Sequence, residues 1–136
     1  MAENMFKLTI VSPDREFYNG EVEMVEMVTT EGEIGVLKGH IPTTAVAAPG
    51  ILKIHEAEGV VKEAVLIDGI IRVMQDDVTI LAEDCNWPDE IDINRAREAK
   101  IRAERRLSGE EDGANLDRAE IALRRAIARI SAVEGR

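Results

Sequence analysis

The spacing of apolar positions changes once along the chain, near residue 87. Before it, short runs alternate: Phe6, Leu8 and Ile10 are separated by Lys7 and Thr9, and Ile70–Met74 and Val78–Ala82 are equally short and rich in β-branched residues. Turn signals divide these runs at Ser12-Pro13-Asp14, Asn19-Gly20, Glu31-Gly32, Lys38-Gly39, Pro49-Gly50, Glu58-Gly59, Asp68-Gly69 and Gln75-Asp76-Asp77. Short strands at this spacing, with no helical period between them, predict an antiparallel β-sandwich or flattened barrel over residues 1–87. Val60 to Ile67 is apolar in both alternating sets, as in a strand buried on two faces, with Lys62 and Glu63 relieving its edge.

After Trp87-Pro88 the period becomes helical. Pro88 lacks an N–H and ends strand pairing, Asp92 suits a helix cap, and Asp89 and Glu90 suit the positive end of the helix that follows. The spacing predicts a first helix over about Ile93–Leu107, a break at Ser108 to Ala114 that includes Glu110-Glu111-Asp112, and a second helix capped by Asn115. Leu116, Ala119, Leu123, Ala126, Ile130 and Val133 form one seam, and Ala96, Ala99, Ala103 and Leu107 answer it, so residues 88–136 form an antiparallel αα-hairpin.

Charge follows the same division. Residues 1–87 hold 16 acidic and 6 basic side chains and residues 88–136 hold 11 of each, so the formal net charge of −10 resides in the β part. This acidity argues against a nucleic-acid partner, which needs a cationic face. Without a long apolar run or a basic, apolar leader, the expectation is a cytoplasmic protein with no direct membrane insertion. The single cysteine, Cys85, is consistent with a reducing compartment. No Gly-rich phosphate loop or Cys/His metal spacing is present, and His40 and His55 lack a partnered nucleophile, so an enzyme reading has no support.

Alanine seams bury little area, at about 25 cal/mol per Å². The hairpin is therefore either an ordinary stable appendage or a two-state element whose helices persist after separating. Arg125 and Arg129 share one face of the second helix, and Arg95 and Arg102 one face of the first. If these faces meet, four guanidinium groups converge and call for an anion such as phosphate. The alternative is local neutralisation by Glu98, Glu104, Asp117 and Glu120.

Glu31-Gly32-Glu33-Ile34-Gly35-Val36-Leu37-Lys38-Gly39-His40-Ile41-Pro42, followed by Ala48-Pro49-Gly50, resembles the signature loop of the epsilon subunit of bacterial F-type ATP synthases. Leu8-Thr9-Ile10-Val11-Ser12-Pro13-Asp14 and Asp92-Ile93-Asn94-Arg95-Ala96 fit the same family in the same order. The resemblance implies a non-catalytic central-stalk subunit on the cytoplasmic face of the bacterial membrane, its sandwich set between the gamma subunit and the c-ring. Glu33 would face the c-ring and His40 would lie near the gamma and c contacts; read alone, they are a solvated carboxylate and a turn histidine. Lys38 departs from the proline that many relatives carry.

The resemblance also implies that the hairpin regulates. In relatives it folds on the sandwich or extends into the alpha/beta catalytic hexamer, where it hinders ATP hydrolysis. Some relatives hold the folded form by binding ATP through Ile/Leu-Asp-x-x-Arg-Ala, matched here by Ile91, Asp92, Arg95 and Ala96, with Arg102, Arg125 and Arg129 as further basic positions. The expected ligand is ATP, with or without Mg²⁺. Asn86 stands where ATP-binding relatives have a glutamate. A free-standing nucleotide sensor built from a sandwich and mobile helices is the alternative reading.

Overall fold

Alternation decides what each strand buries. In β1 (Phe6–Val11), Phe6, Leu8 and Ile10 turn inward, and the residues between them do not. The structure, a computed structural model, describes residues 4–109 and 115–135. After β1 come β2 (Glu16–Val22), β3 (Met24–Thr29), β4 (Gly32–Leu37), β5 (Thr43–Ala47), β6 (Gly50–His55), β7 (Val61–Val73) and β8 (Asp77–Asn86). Two helices follow, α1 (Ile93–Leu107) and α2 (Leu116–Glu134).

The strands run in the order β2-β1-β8-β7-β5-β3-β4, and β6 bridges β3 and β7. The first half of β7 pairs with β6 and its second half with β5, and both of those strands return to β3, so the sheet folds over itself into a sandwich. Leu8, Ile10, Leu52, Ile54, Ile71 and Ile80 are wholly buried between the layers. One pairing departs from the antiparallel expectation: β1 runs parallel to β8, Leu8 opposite Val78 and Ile10 opposite Ile80. Alternation reports which face is apolar and carries no information on strand direction.

Two predicted turns lie inside strands. Asn19-Gly20 sits within β2, opposite Thr9 and Leu8. Asp68-Gly69 lies within β7 as a kink, with φ of 57° at Asp68 and 141° at Gly69. A Cβ on Gly69 would stand 2.3 Å from the Leu81 carbonyl oxygen, so this position requires glycine. The inward set changes parity across the kink, from Ala64 and Leu66 to Ile71 and Val73. β8 changes with it, from Val78, Ile80 and Ala82 to Cys85. Val65 and Ile67 are buried on the opposite face, under Ala128, Ala132 and Ile91. This is the strand with two buried faces that its composition predicts, but only over residues 64–67, since Val60 and Val61 are exposed.

The hairpin lies on that second face. Asn115 caps α2 by accepting from the Arg118 amide at 3.0 Å. Ala96, Ala103, Ala119 and Ala126 are buried along the seam, whereas Leu107, Leu116 and Val133 stay exposed, so the contact is shorter than predicted. Arg97 joins Glu134 across the helices at 2.5 Å. Ser108 and Gly109 follow α1, and the acidic break predicted at residues 110–114 lies outside the described residues.

Candidate functional site: a cavity between sandwich and hairpin

The chain leaving the sandwich is pinned before it becomes helical. Trp87 stacks on Phe17 with ring centroids 4.4 Å apart. A 3-10 turn at Pro88–Glu90 follows. Arg15 grips Glu90 with two hydrogen bonds, at 2.8 and 2.7 Å, and Glu90 accepts from the Trp87 amide at 2.9 Å. These bonds, the Arg15 bond foremost, hold the Glu90 carboxyl well below its ordinary range, down to about 2. Beside it, burial pushes the Cys85 thiol up to about 12. Asp92 then caps α1, accepting from the Asn94 and Arg95 amides at 3.0 and 3.2 Å.

With the start of α1 fixed, Arg95, Ala99 and Arg102 fall at i, i+4 and i+7 on one face, with Ala96 beside them. They line a cavity of about 320 Å³ together with Asp84, Asn86, Glu90, Ile91, Asp92 and Arg129. Its floor is open because Ala96 and Ala99 are small. Val65 pairs with Asn86 and Ile67 with Asp84, and cross-strand partners share a face, so the kink in β7 that turns Val65 and Ile67 toward the hairpin turns Asp84 and Asn86 the same way. Arg129 donates from Nη2 to Oδ2 of Asp84 at 3.1 Å. The Asn86 amide faces Asp84 too, and with its nitrogen toward the carboxylate it donates at 3.2 and 3.0 Å.

Six of the seven residues suggested for ATP (Ile91, Asp92, Arg95, Ala96, Arg102 and Arg129) line this one cavity. Arg125 does not. Its Nε and Nη2 donate to Asp68 Oδ2 at 3.0 and 2.6 Å, and Glu83 lies 3.7 Å away. Four residues advance α2 by about 6 Å, enough to move from the level of Asp84 to that of Asp68. Three guanidinium groups therefore converge where four were expected. Local neutralisation also takes a different form, since Arg125 and Arg129 pair with acids of the sandwich and not with Asp117 or Glu120.

Glu33 and His40 lie away from the cavity. Glu33 is exposed on β4, opposite Val28. His40 follows β4 in a turn, its Nδ1 donating to the Ile41 carbonyl at 2.7 Å, while Ile41 and Leu37 beside it are exposed. Sequence reasoning missed Arg15, Asp68 and Asp84, whose partners lie 75, 57 and 45 positions away. Among the described residues no group of three side chains could hold a metal ion, and no helix is long and apolar enough to cross a membrane.

Two family models cover nearly the whole chain: the β-sandwich domain of the ATP synthase delta/epsilon chain matches residues 5–88, and its long α-helix domain matches residues 89–134. The chain belongs to the ATP synthase epsilon-chain family. Epsilon chains are non-catalytic subunits of the synthase central stalk. The epsilon chain of Clostridium kluyveri is 44% identical over 131 residues, covering 96% of this chain and 98% of that one. That of Staphylococcus aureus is 42% identical over 132 residues, with coverage of 96% and 98%. A chain in the Euglena gracilis mitochondrial ATP synthase (OSCP/F1/c-ring in rotational state 1) superposes with a TM-score of 0.80 at 29% identity, over 96% of this chain and 80% of that one. A chain of the Tetrahymena thermophila mitochondrial ATP synthase central stalk and c-ring shares the fold, with a TM-score of 0.61 at 17% identity over 94% and 96%.

Proposed function

We propose that this epsilon chain couples ion-driven rotation to ATP synthesis and restrains ATP hydrolysis through a hairpin that ATP holds in its folded position. The carrying observation is the cavity in which Arg95 and Arg102 of α1 and Arg129 of α2 meet beside Ile91 and Asp92. Guanidinium groups from both helices can grip one polyphosphate, so the ligand bridges elements that otherwise share a seam of alanines. Ile91 supplies an apolar wall for the adenine, Asp92 a hydrogen-bond acceptor, and Ala96 the room. Arg125 reaches the phosphates only by leaving Asp68. The arginines supply phosphate contacts whether or not Mg²⁺ accompanies the nucleotide.

The magnitudes suit a switch. A methylene-sized group contributes about 0.8 kcal/mol when buried, so four alanine side chains contribute roughly 3 kcal/mol to the seam. ATP at about thirty times its Kd adds about 2 kcal/mol to the folded form. Ligand and seam are thus comparable, and loss of the ligand shifts the balance toward an extended hairpin that would reach the alpha/beta hexamer.

The sandwich supplies the docking surfaces in this reading. The exposed Glu33 and the His40 turn, with Ile41 and Leu37, face the c-ring and gamma, and the subunit is peripheral on the cytoplasmic side of the bacterial membrane. The test is to assemble the synthase with the full chain and with a chain ending at residue 88. Equal assembly, with faster hydrolysis by the shortened form, is expected. Failure to assemble would place the main stalk contact in the helices, and unchanged hydrolysis would remove the inhibitory role.

A further inference from the structure

The cavity contains three acids as well as three arginines, and their charges are handled differently. Glu90 is neutralised from behind by Arg15, which does not line the cavity, and Asp92 by the first amides of α1. Asp84 alone takes its counter-charge from a cavity arginine, through its contact with Arg129. Among the described residues, Arg95 and Arg102 have no carboxylate within 4.0 Å.

We propose that Asp84 is a built-in competitor for the anionic ligand, occupying Arg129 while the cavity is empty and surrendering it when polyphosphate binds. The inference rests on the ATP reading above and names the residue that sets affinity at the same site. Its contact with Arg129 is a single hydrogen bond at 3.1 Å, unlike the double contacts that Arg15 and Arg125 make, so exchange breaks only one bond. The Asp84 side chain is 42% exposed, so the released carboxylate is solvated and is not left buried and unpaired. The Asn86 amide faces it from the same strand and holds it after Arg129 departs. A polyphosphate seated between Arg95 and Arg102 would otherwise meet the Asp84 charge at close range, and that repulsion is weakly screened in a cleft.

The same ion pair ties α2 to β8, so removing the Asp84 charge has two opposite effects. The ligand-free hairpin loosens, and polyphosphate binding tightens. A residue that merely shaped the cavity would weaken both.

The experiment measures the Kd of ATP and of inorganic tripolyphosphate, without Mg²⁺, for the full chain, Asp84→Asn and Asp76→Asn. Circular dichroism checks that each variant folds, and the ligand-free melting temperature is recorded. Asp76 is exposed in the turn before β8 and does not line the cavity, so its variant controls for net charge. The expected result is about three- to tenfold tighter binding of both probes by Asp84→Asn, with a slightly lower ligand-free melting temperature and no gain in Asp76→Asn. Equal or weaker binding by Asp84→Asn overturns the inference and leaves the ATP reading standing. An equal gain in Asp76→Asn also overturns it, because the effect would then be net charge. Tripolyphosphate binding that improves in Asp84→Asn while no variant binds ATP upholds the competitor and removes the nucleotide reading. Failure of every variant to bind either probe removes both.

Discussion

Arg125 donates from both Nε and Nη2 to a single oxygen of Asp68, at 3.0 and 2.6 Å, across 57 positions of sequence. Asp68 holds a left-handed backbone with φ of 57°, unusual for a residue with a side chain, and the kink aims its carboxylate at α2. Strain in a sandwich strand and docking of the hairpin are thus coupled through one ion pair.

Arg125→Ala should therefore loosen the hairpin while sparing the sandwich. A half-exposed pair of this kind contributes about 1 kcal/mol. Hydrogen exchange should show faster opening of α2 amides by about fivefold, with β1 and β8 amides unchanged. ATP affinity should fall only by the cost of that loosening, whereas Arg102→Ala, which removes a cavity wall, should lower affinity without affecting α2 opening in the ligand-free chain.

Gly69→Ala should destabilise the sandwich itself. The added Cβ would meet the Leu81 carbonyl oxygen at 2.3 Å and the Ala82 Cα at 2.9 Å, at a φ of 141° that alanine avoids. The cost should be roughly 2–4 kcal/mol, read from a shifted midpoint in urea denaturation. Gly59→Ala, where a Cβ meets nothing within 4 Å, isolates the backbone effect alone and should cost less.

The Arg15–Glu90 clamp should respond to acid with a defined sign. The Glu90 carboxyl is depressed in the folded chain from 4.5 to about 2, chiefly by the Arg15 hydrogen bond. Its contribution to stability is therefore fully present above about pH 4.5 and is lost as pH falls toward 2. Stacking of Trp87 on Phe17 reports the clamp itself: Trp87 fluorescence in the native chain should hold steady until the pH approaches about 2, where the folded-state Glu90 carboxyl takes up its proton. In Glu90→Gln the altered signal should already be present at neutral pH, and the acid-dependent part should disappear.

The alanine seam gives a prediction of the opposite kind. Ala126 is wholly buried against α1, and Ala126→Leu overpacks the contact by three carbons at a cost of about 1–3 kcal/mol. Helical ellipticity should persist while α1 and α2 separate from each other, because Ala- and Arg-rich helices retain their own propensity. Loss of helicity in step with separation would show that the helices depend on their packing.

Much of this was legible along the chain, for local reasons. Asp92 and Asn115 read as caps because an N-cap acts within three residues, and both do so. The double-faced strand read from its composition. Arg95 and Arg102 read as sharing one face because helical spacing puts them there, whereas Ala96 and the reading of the group as a site came from the resemblance to the family's motif. Asp68-Gly69 read as a turn because the pair has turn chemistry, and only the strand pairing on either side makes it a kink. The acids that receive Arg125 and Arg129 could not be read, because β7 and β8 bring them to α2 by register, which alternation does not encode. Arg125 was grouped with Arg129 because they share a helix face, but a shared face extends along the axis and the two reach different levels of the sandwich.

On the proposed function, the cavity beneath the hairpin binds ATP and thereby holds the hairpin down. The most direct measurement is a calorimetric titration of the full chain with ATP, with hydrogen exchange of α2 followed in parallel and Arg102→Ala as the control. Saturable binding that slows α2 exchange, and that weakens in Arg102→Ala, is the predicted result. No heat and no change in α2 exchange at millimolar ATP would mean that the cavity does not bind the nucleotide and that the hairpin is held by its protein contacts alone.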